Sequence, residues 1–155
     1  MKTIIKSNIF LLLISIAGCA GNINNNGEMN LKINYQNIDA WINLMPGVSA
    51  GHRIHIAGKI LIKNLSDESV DKLMLREIRI VQNNYALSMK TISFASNDTT
   101  GILHNEEKIF SFNASDKTTG SKINFDSAAS LIFFFSSDGR TFTDSLNDVV
   151  IKKVY

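Results

Sequence analysis

The amino-acid sequence predicts an all-β domain, an antiparallel β-sandwich of seven to eight strands, behind an N-terminal signal helix. Three observations lead there. Apolar residues recur at every second position in one segment after another. Short runs of Gly, Asn, Asp and Ser separate these segments, and beyond the leader no segment carries a long apolar period of 3.6 residues.

The leader begins Met1-Lys2-Thr3-Ile4-Ile5-Lys6, with two lysines and no acid. It continues through the apolar run Ile9 to Ile16 to the small pair Ala17-Gly18 and the single cysteine of the chain, Cys19. A positive start, a short apolar stretch and small residues at a cleavage point are the layout of a secretory signal peptide. The apolar run is shorter than the roughly 20 residues that cross a bilayer as a helix.

Ile16-Ala17-Gly18-Cys19 resembles the lipobox of bacterial lipoprotein precursors. The resemblance covers the first twenty residues and implies that the Cys19 sulfur receives a diacylglyceryl group, that the peptide is cut before it, and that palmitate-type chains hold the mature protein on a membrane. Two or three acyl chains turn marginal binding into stable anchoring. An ordinary free cysteine is the competing reading, but an unpaired thiol is a liability in an oxidising compartment. Ala20 follows the cysteine, where enterobacterial lipoproteins retained at the inner membrane carry Asp. The resemblance therefore implies the outer membrane.

Removing residues 1–18 leaves 137 of 155 residues, enough for one domain with a sizeable core. It also removes Lys2 and Lys6, so the 16 Lys+Arg of the precursor fall to 14, equal to the 14 Asp+Glu. A neutral exported domain gives no electrostatic reason to expect nucleic acid as a partner. With one cysteine there is no intramolecular disulfide, and the core must hold the fold. Residues 19–30, rich in Asn and Gly, are expected to form the acylated cysteine and its tether. The β domain is expected over residues 31–155.

Within that domain Leu31, Ile33 and Tyr35 alternate with polar residues, and so do Ile38, Ala40, Ile42 and Leu44, on the opposite parity. A bulge or break between Tyr35 and Ile38 reconciles them. From His52 to Leu65 the residues Ile54, Ile56, Ile60 and Ile62 share one face, and Arg53, His55, Lys59 and Lys63 share the other. After the turn Asn64 to Ser69, Leu73 and Leu75 give way to Ile78 and Ile80 on the other parity, which predicts a bulge near Arg76-Glu77. Further strands are expected at Leu87 to Phe94, Lys108 to Asn113, Ala129 to Ser136, Thr141 to Ser145 and Val149 to Tyr155. Leu131 to Phe135 is apolar on both parities and should run centrally, covered on both faces. Ser137-Asp138-Gly139-Arg140 after it predicts a hairpin.

The stretch from Ile56 to Ile80 resembles the opening hairpin of immunoglobulin-like and fibronectin-III-like envelope modules: a Gly-led strand ends at Asn-x-Ser and is answered by a second strand. The likeness covers about one sixth of the chain. The Cys-Trp-Cys core of antibody domains is absent, and Trp41 falls in the first strand, so the likeness concerns architecture.

Several patterns invite a chemical reading. Gly47-Val48-Ser49-Ala50-Gly51 fits the G-x-S-x-G elbow of hydrolases, and Asp98 and His104 would complete the chain order Ser, Asp, His. That elbow needs a strand before the serine and a helix after it. Here Met45-Pro46 precedes and a β-patterned segment follows, so a loop between strands is the better reading. His52 and His55 are three apart and lie on opposite faces of a strand, and the His-x-Met pair of exported copper chaperones is missing at His104. No metal site and no catalytic residue are assigned. Asp67, Glu68 and Asp71 lack the ladder of a calcium loop, and Glu106-Glu107 is a charged approach to a strand.

One surface remains. Arg53, His55, Lys59 and Lys63 form a basic stripe in a neutral domain, either a solvated face balanced by acids on neighbouring strands or a surface for acidic headgroups, polysaccharide or a partner protein. The sequence thus predicts a lipid-anchored, non-catalytic module of the cell envelope that binds or assembles, with no cofactor beyond the lipid on Cys19. The alternative class is an exported metal carrier or a small envelope hydrolase.

Overall fold

A computed structural model describes residues 29–45, 52–96, 100–118 and 123–155. The leader, Cys19, the tether, the G-x-S-x-G segment and Asp98 lie outside the described residues. The described residues form nine strands, β1 (Leu31–Asn43), β2 (His52–Asn64), β3 (Met74–Gln82), β4 (Tyr85–Met89), β5 (Ile92–Ala95), β6 (Glu107–Thr118), β7 (Ala129–Ser137), β8 (Arg140–Val149) and β9 (Ile151–Val154), and no helix occurs among them. They form two stacked sheets, one in the order β5-β6-β2-β1-β9 and the other β4-β3-β7-β8. The chain is a β-sandwich.

Two expectations are corrected. Leu87 to Phe94 is two strands, not one: β4 pairs with β3 and β5 pairs with β6, in different sheets. The inward residues Leu87 and Met89 are odd-numbered while Ile92 and Phe94 are even-numbered, so the parity changes at Lys90-Thr91, where the chain crosses between layers. The sandwich is also not purely antiparallel, because β9 runs parallel to β1 over Ala40 to Asn43. A kink precedes this, with Asp148 at φ 60° and one extra β8 residue between the pairs Ala129–Val149 and Leu131–Leu146. The kinked chain leaves one sheet and delivers the buried Ile151 to the other.

The two anticipated parity switches are bulges. The β1–β2 register shifts between Gln36 and Asp39, where Asn37 takes φ 51°, and the β3–β7 register shifts between Leu75 and Glu77. Each lets one continuous strand keep its apolar side chains inward on both sides of the switch. The β1 bulge explains Gly58 on the facing strand: a Cβ there would stand 2.4 Å from Ile38 Cδ1 and 3.1 Å from the Asn37 carbonyl oxygen. Ile38 fills the space that residue 58 leaves open. At the β7–β8 hairpin, Asp138 and Gly139 take φ 51° and 77°, the left-handed pair of a type I′ turn.

β7 is central, between β3 and β8. Leu131, Phe133 and Phe135 are buried between the sheets, whereas Ile132 and Phe134 face outward and are covered by side chains, not by a second layer. The Arg79 guanidinium lies 4.5 Å from the Phe134 ring centroid. Glu77 holds Arg79 through Nη2 at 2.7 Å and accepts the Ser88 hydroxyl at 2.8 Å. Burial pushes the Glu77 carboxyl up, but Ser88 and Arg79 together outweigh it and leave the group below its usual range.

Rings carry the core from one sheet to the other. Phe133 stacks on Tyr35 of β1 at 4.5 Å and meets Phe112 of β6 edge-on at 5.7 Å; Phe135 contacts Phe94 and Phe142. Tyr35 is amphipathic: its ring joins the core and its hydroxyl donates to Asp144 Oδ2 of β8 at 3.0 Å. Burial, followed by the Asp144 charge and the hydrogen bond to it, pushes the phenol well above its ordinary value. A phenol whose folded pKa is raised contributes its stability fully below the unfolded value of about 10 and loses it as pH climbs beyond. Tyr35→Phe should therefore cost about 1–2 kcal/mol at pH 8. Its deficit should shrink as urea titrations move above pH 10; a deficit constant with pH would show that the phenol is not held protonated by the fold.

Candidate functional site

The long β2 strand lies in the middle of the five-stranded sheet, with β1 on one side and β6 on the other. Ile54, Ile56, Ile60 and Ile62 are wholly buried, which forces Arg53, His55, Lys59 and Lys63 onto the outer face. The four predicted stripe residues are thus brought to one surface. The register adds residues that β2 alone does not reveal. Lys32 stands directly opposite Lys63, Trp41 opposite His55 and Asn43 opposite Arg53 on the β1 side. Glu107 stands opposite Lys63, Ser111 opposite Lys59, Ser115 opposite His55 and Lys117 opposite Arg53 on the β6 side.

Among the described residues this face carries Lys32, Arg53, Lys59, Lys63, Lys117 and Lys152 against the acids Asp39 and Glu107. Lys152 is engaged by Asp39 at 2.6 Å in an exposed pair, which contributes little to stability. Arg53 Nη1 reaches the Ser115 hydroxyl at 3.5 Å. The Trp41 and His55 rings stack at 5.2 Å with an interplanar angle of 10°, an apolar ridge in a polar field. The opposite outer face, on the other sheet, is not basic in this way. There Arg76 donates to Ser136 and Arg79 is tied to Glu77, among serines and threonines.

A second feature sits at the end of the sandwich where the described chain begins. A cleft of about 520 Å³ is lined by Met29, Asn30, Leu65 to Val70, Asp138 and Arg140. The polar groups around it are largely used by the fold. Asn64, buried beneath the turn, donates through Nδ2 to the carbonyls of Glu68 at 2.7 Å and Ile102 at 3.2 Å, and accepts the Ser66 N–H at 3.0 Å and the Ser66 hydroxyl at 2.5 Å. Asp138 accepts the Asp71 N–H at 3.2 Å and a bond from Ser137 at 2.9 Å.

His104 is structural as well. Its Nδ1 lies 2.6 Å from the Ser66 carbonyl and its Nε2 2.6 Å from Asn105 Nδ2, so Nδ1 carries the proton and Nε2 accepts. The ring pins the 100–106 loop to the 64–69 turn. Glu106 takes the Leu103 N–H at 2.7 Å and faces Lys108 at 3.4 Å. That backbone bond, helped by Lys108, holds its carboxyl below the usual range. His52 pairs with Thr118 and His55 with Ser115, on opposite faces of β2. No group of three potential metal ligands occurs among the described residues, and no helix long and apolar enough to cross a membrane occurs among them.

The sequence reading missed Lys32, Trp41 and Lys117, since only strand pairing places them beside the stripe. Lys32 and Trp41 were legible as outward positions of their own strand; Lys117 was not, because the expected strand ended at Asn113 and β6 runs on to Thr118.

No family model and no curated protein matches the chain. Among solved structures it is similar to an uncharacterized β-sandwich protein from Clostridium difficile 630, with 17% identity, 77% of this chain and 90% of that chain covered, and a TM-score of 0.39. It is also similar to Northeast Structural Genomics Consortium target SoR45, with 14% identity, 77% and 83% covered, and a TM-score of 0.36.

Proposed function

We propose that the chain is the precursor of an exported lipoprotein, held on a membrane by acyl chains on Cys19, the outer membrane by preference. Its folded part is a non-catalytic binding or assembly module of immunoglobulin-like type. The lipobox-like Ile16 to Cys19 supports the anchor. The strand order β1-β2-β6-β5 against β3-β7-β8, with β4 on the outside of β3, supports the immunoglobulin-like reading, because that type orders its strands A-B-E-D against C-F-G.

The observation that carries the binding role is the segregation of charge. A mature chain with 14 basic and 14 acidic residues gathers six cations and two acids on one outer sheet face. The partner is an envelope component that presents negative charge, a polysaccharide or another protein. Nothing in this role requires a cofactor, a metal or an enzyme centre.

Palmitate label should enter the wild-type protein in cells and be absent from Cys19→Ala. The unlipidated variant, added to washed envelopes, should still sediment with them, and Lys59→Glu/Lys63→Glu in the same background should not. A wild-type protein that is exported but free of lipid overturns the anchor. Equal sedimentation of the two unlipidated proteins overturns the binding face.

A further inference from the structure

The basic face can be resolved further than a partner of opposite charge. Its cations are not spread evenly. Lys32 and Lys63 stand directly opposite each other at one end of β2, and Arg53 and Lys117 do so at the other end. Like charges in register across neighbouring strands destabilise a sheet, and a sheet that is selected only to fold has no use for two such pairs. Glu107, opposite Lys63 on the β6 side, offsets the first pair in part, whereas Arg53 has only Asn43 and Lys117 in register among the described residues; an anion between the members of each pair relieves what repulsion is left. The two pairs are ten residues apart along β2, about 34 Å at the rise of a β-strand, with Lys59 between them. The anion is therefore extended and carries charge at intervals.

The groups between the cations indicate its chemistry. Gln36, Asn43, Ser111, Asn113 and Ser115 occupy outward positions beside β2, and amides and hydroxyls both donate and accept. The Trp41–His55 stack offers ring surface to the C–H face of a sugar. A membrane-docking surface would concentrate exposed apolar side chains instead. Here Leu65, Met74, Leu103 and Val150 are exposed off this face; on it Ile109 of β6, opposite the half-buried Leu61, and Val154 of β9 stand apart from each other, and Met45 and Tyr155 lie just past the ends of β1 and β9.

We propose that the outer face of the five-stranded sheet binds a linear acidic polysaccharide. Its carboxylates or phosphates lie against the Lys32–Lys63 and Arg53–Lys117 pairs, and its hydroxyls bond to the interleaved amides and serines. This rests on reading that face as the binding surface.

The test uses the full chain in detergent, titrated with polygalacturonate, with the methyl-esterified and hence uncharged polymer, with polyglutamate, and with phosphatidylglycerol against phosphatidylcholine surfaces. Polygalacturonate should bind best, and Lys59→Glu/Lys63→Glu should weaken it by about tenfold or more. Lys72→Glu/Lys90→Glu makes the same change in net charge at exposed positions off the face and should bind as wild type. Equal affinity for polyglutamate, or equal weakening by the two double variants, would overturn the proposal in favour of unspecific charge. A preference for phosphatidylglycerol that the Lys59/Lys63 variant abolishes, without polysaccharide binding, would overturn it in favour of a lipid surface. If no acidic sugar polymer binds but the Lys59/Lys63 variant still fails to sediment with envelopes, the sugar falls and the binding face stands. If the variant matches wild type in both assays, both fall.

Discussion

Phe133→Ala should be the most damaging single truncation in the domain, at about 3–5 kcal/mol. The side chain is wholly buried. It stacks on Tyr35 of β1 and meets Phe112 of β6 edge-on, so its loss removes the ring that joins the two sheets at their centre. The cavity would be lined by rigid neighbours, Tyr35 being further held by Asp144, and could collapse only by moving whole strands. Against a total stability of about 5–15 kcal/mol for a domain of this size, the variant should be partly unfolded at growth temperature. The informative control is the next residue. Phe134→Ala removes an equal ring from the outer face, where it packs under Arg79, and should cost about 1–2 kcal/mol. Urea midpoints of the two variants check the register directly, because a one-residue slip exchanges the faces of β7. A Phe134→Ala loss equal to or above that of Phe133→Ala would show the assignment of faces to be wrong.

The alternation that separates Phe133 from Phe134 illustrates what the sequence can and cannot express. A period of two is a local property, so the buried row Ile54, Ile56, Ile60 and Ile62 was readable from β2 alone. The bulges after Tyr35 and Leu75 were readable as changes of parity. The change of parity between Met89 and Ile92 is the same signal, yet it marks a crossing between sheets and not a bulge. Nothing within the segment distinguishes the two outcomes, because the choice depends on which strand is waiting for a partner. The second half of β6 was harder still. Asn113 to Thr118 has only one buried apolar residue in its pattern, Ala114, and is extended because β2 offers it a continuous edge.

The candidate site divides in the same way. Arg53, His55, Lys59 and Lys63 are one strand's outward residues and were found by counting. Lys32, Trp41 and Lys117 join them through pairings that span up to about 65 residues of chain, and no local pattern encodes those registers. The like-charge pairs, which give the face its specific character, are visible only once the register is known. Charge balance misleads here for the same reason: a total of 16 basic against 14 acidic residues conceals a face with four excess cations because the acids lie mostly elsewhere, in the turns and at the cleft end.

Asn64 is the clearest case of a residue whose role its type conceals, and its replacement should be the second most costly change. An asparagine at a strand end before Ser-Asp-Glu-Ser reads as a turn residue, and asparagine is mostly exposed. Here it is fully buried and satisfied at both ends of the amide. Its own backbone extends the same junction: the Asn64 N–H donates to the Glu106 carbonyl at 3.0 Å and the Asn105 N–H donates to the Asn64 carbonyl at 3.0 Å. Asn64→Ala should cost about 2–4 kcal/mol, since it removes four side-chain bonds, takes this donor from the Glu68 carbonyl and leaves the Ile102 carbonyl with the Val70 N–H at 2.9 Å. Asn64→Asp separates donor from acceptor. Its carboxylate can still accept from Ser66 but has nothing to donate to the two carbonyls, and it buries a charge facing them. The aspartate variant should therefore be at least as unstable as the alanine variant at pH 7 and should recover part of the loss as pH falls and the carboxyl regains a proton. Urea titrations at pH 5 and 7, with amide hydrogen exchange at Ser66 and Asn105, check this. An aspartate variant as stable as wild type at pH 7 would mean that the two donated bonds contribute nothing. The loops at that end would then be held by His104 and the backbone pairing alone.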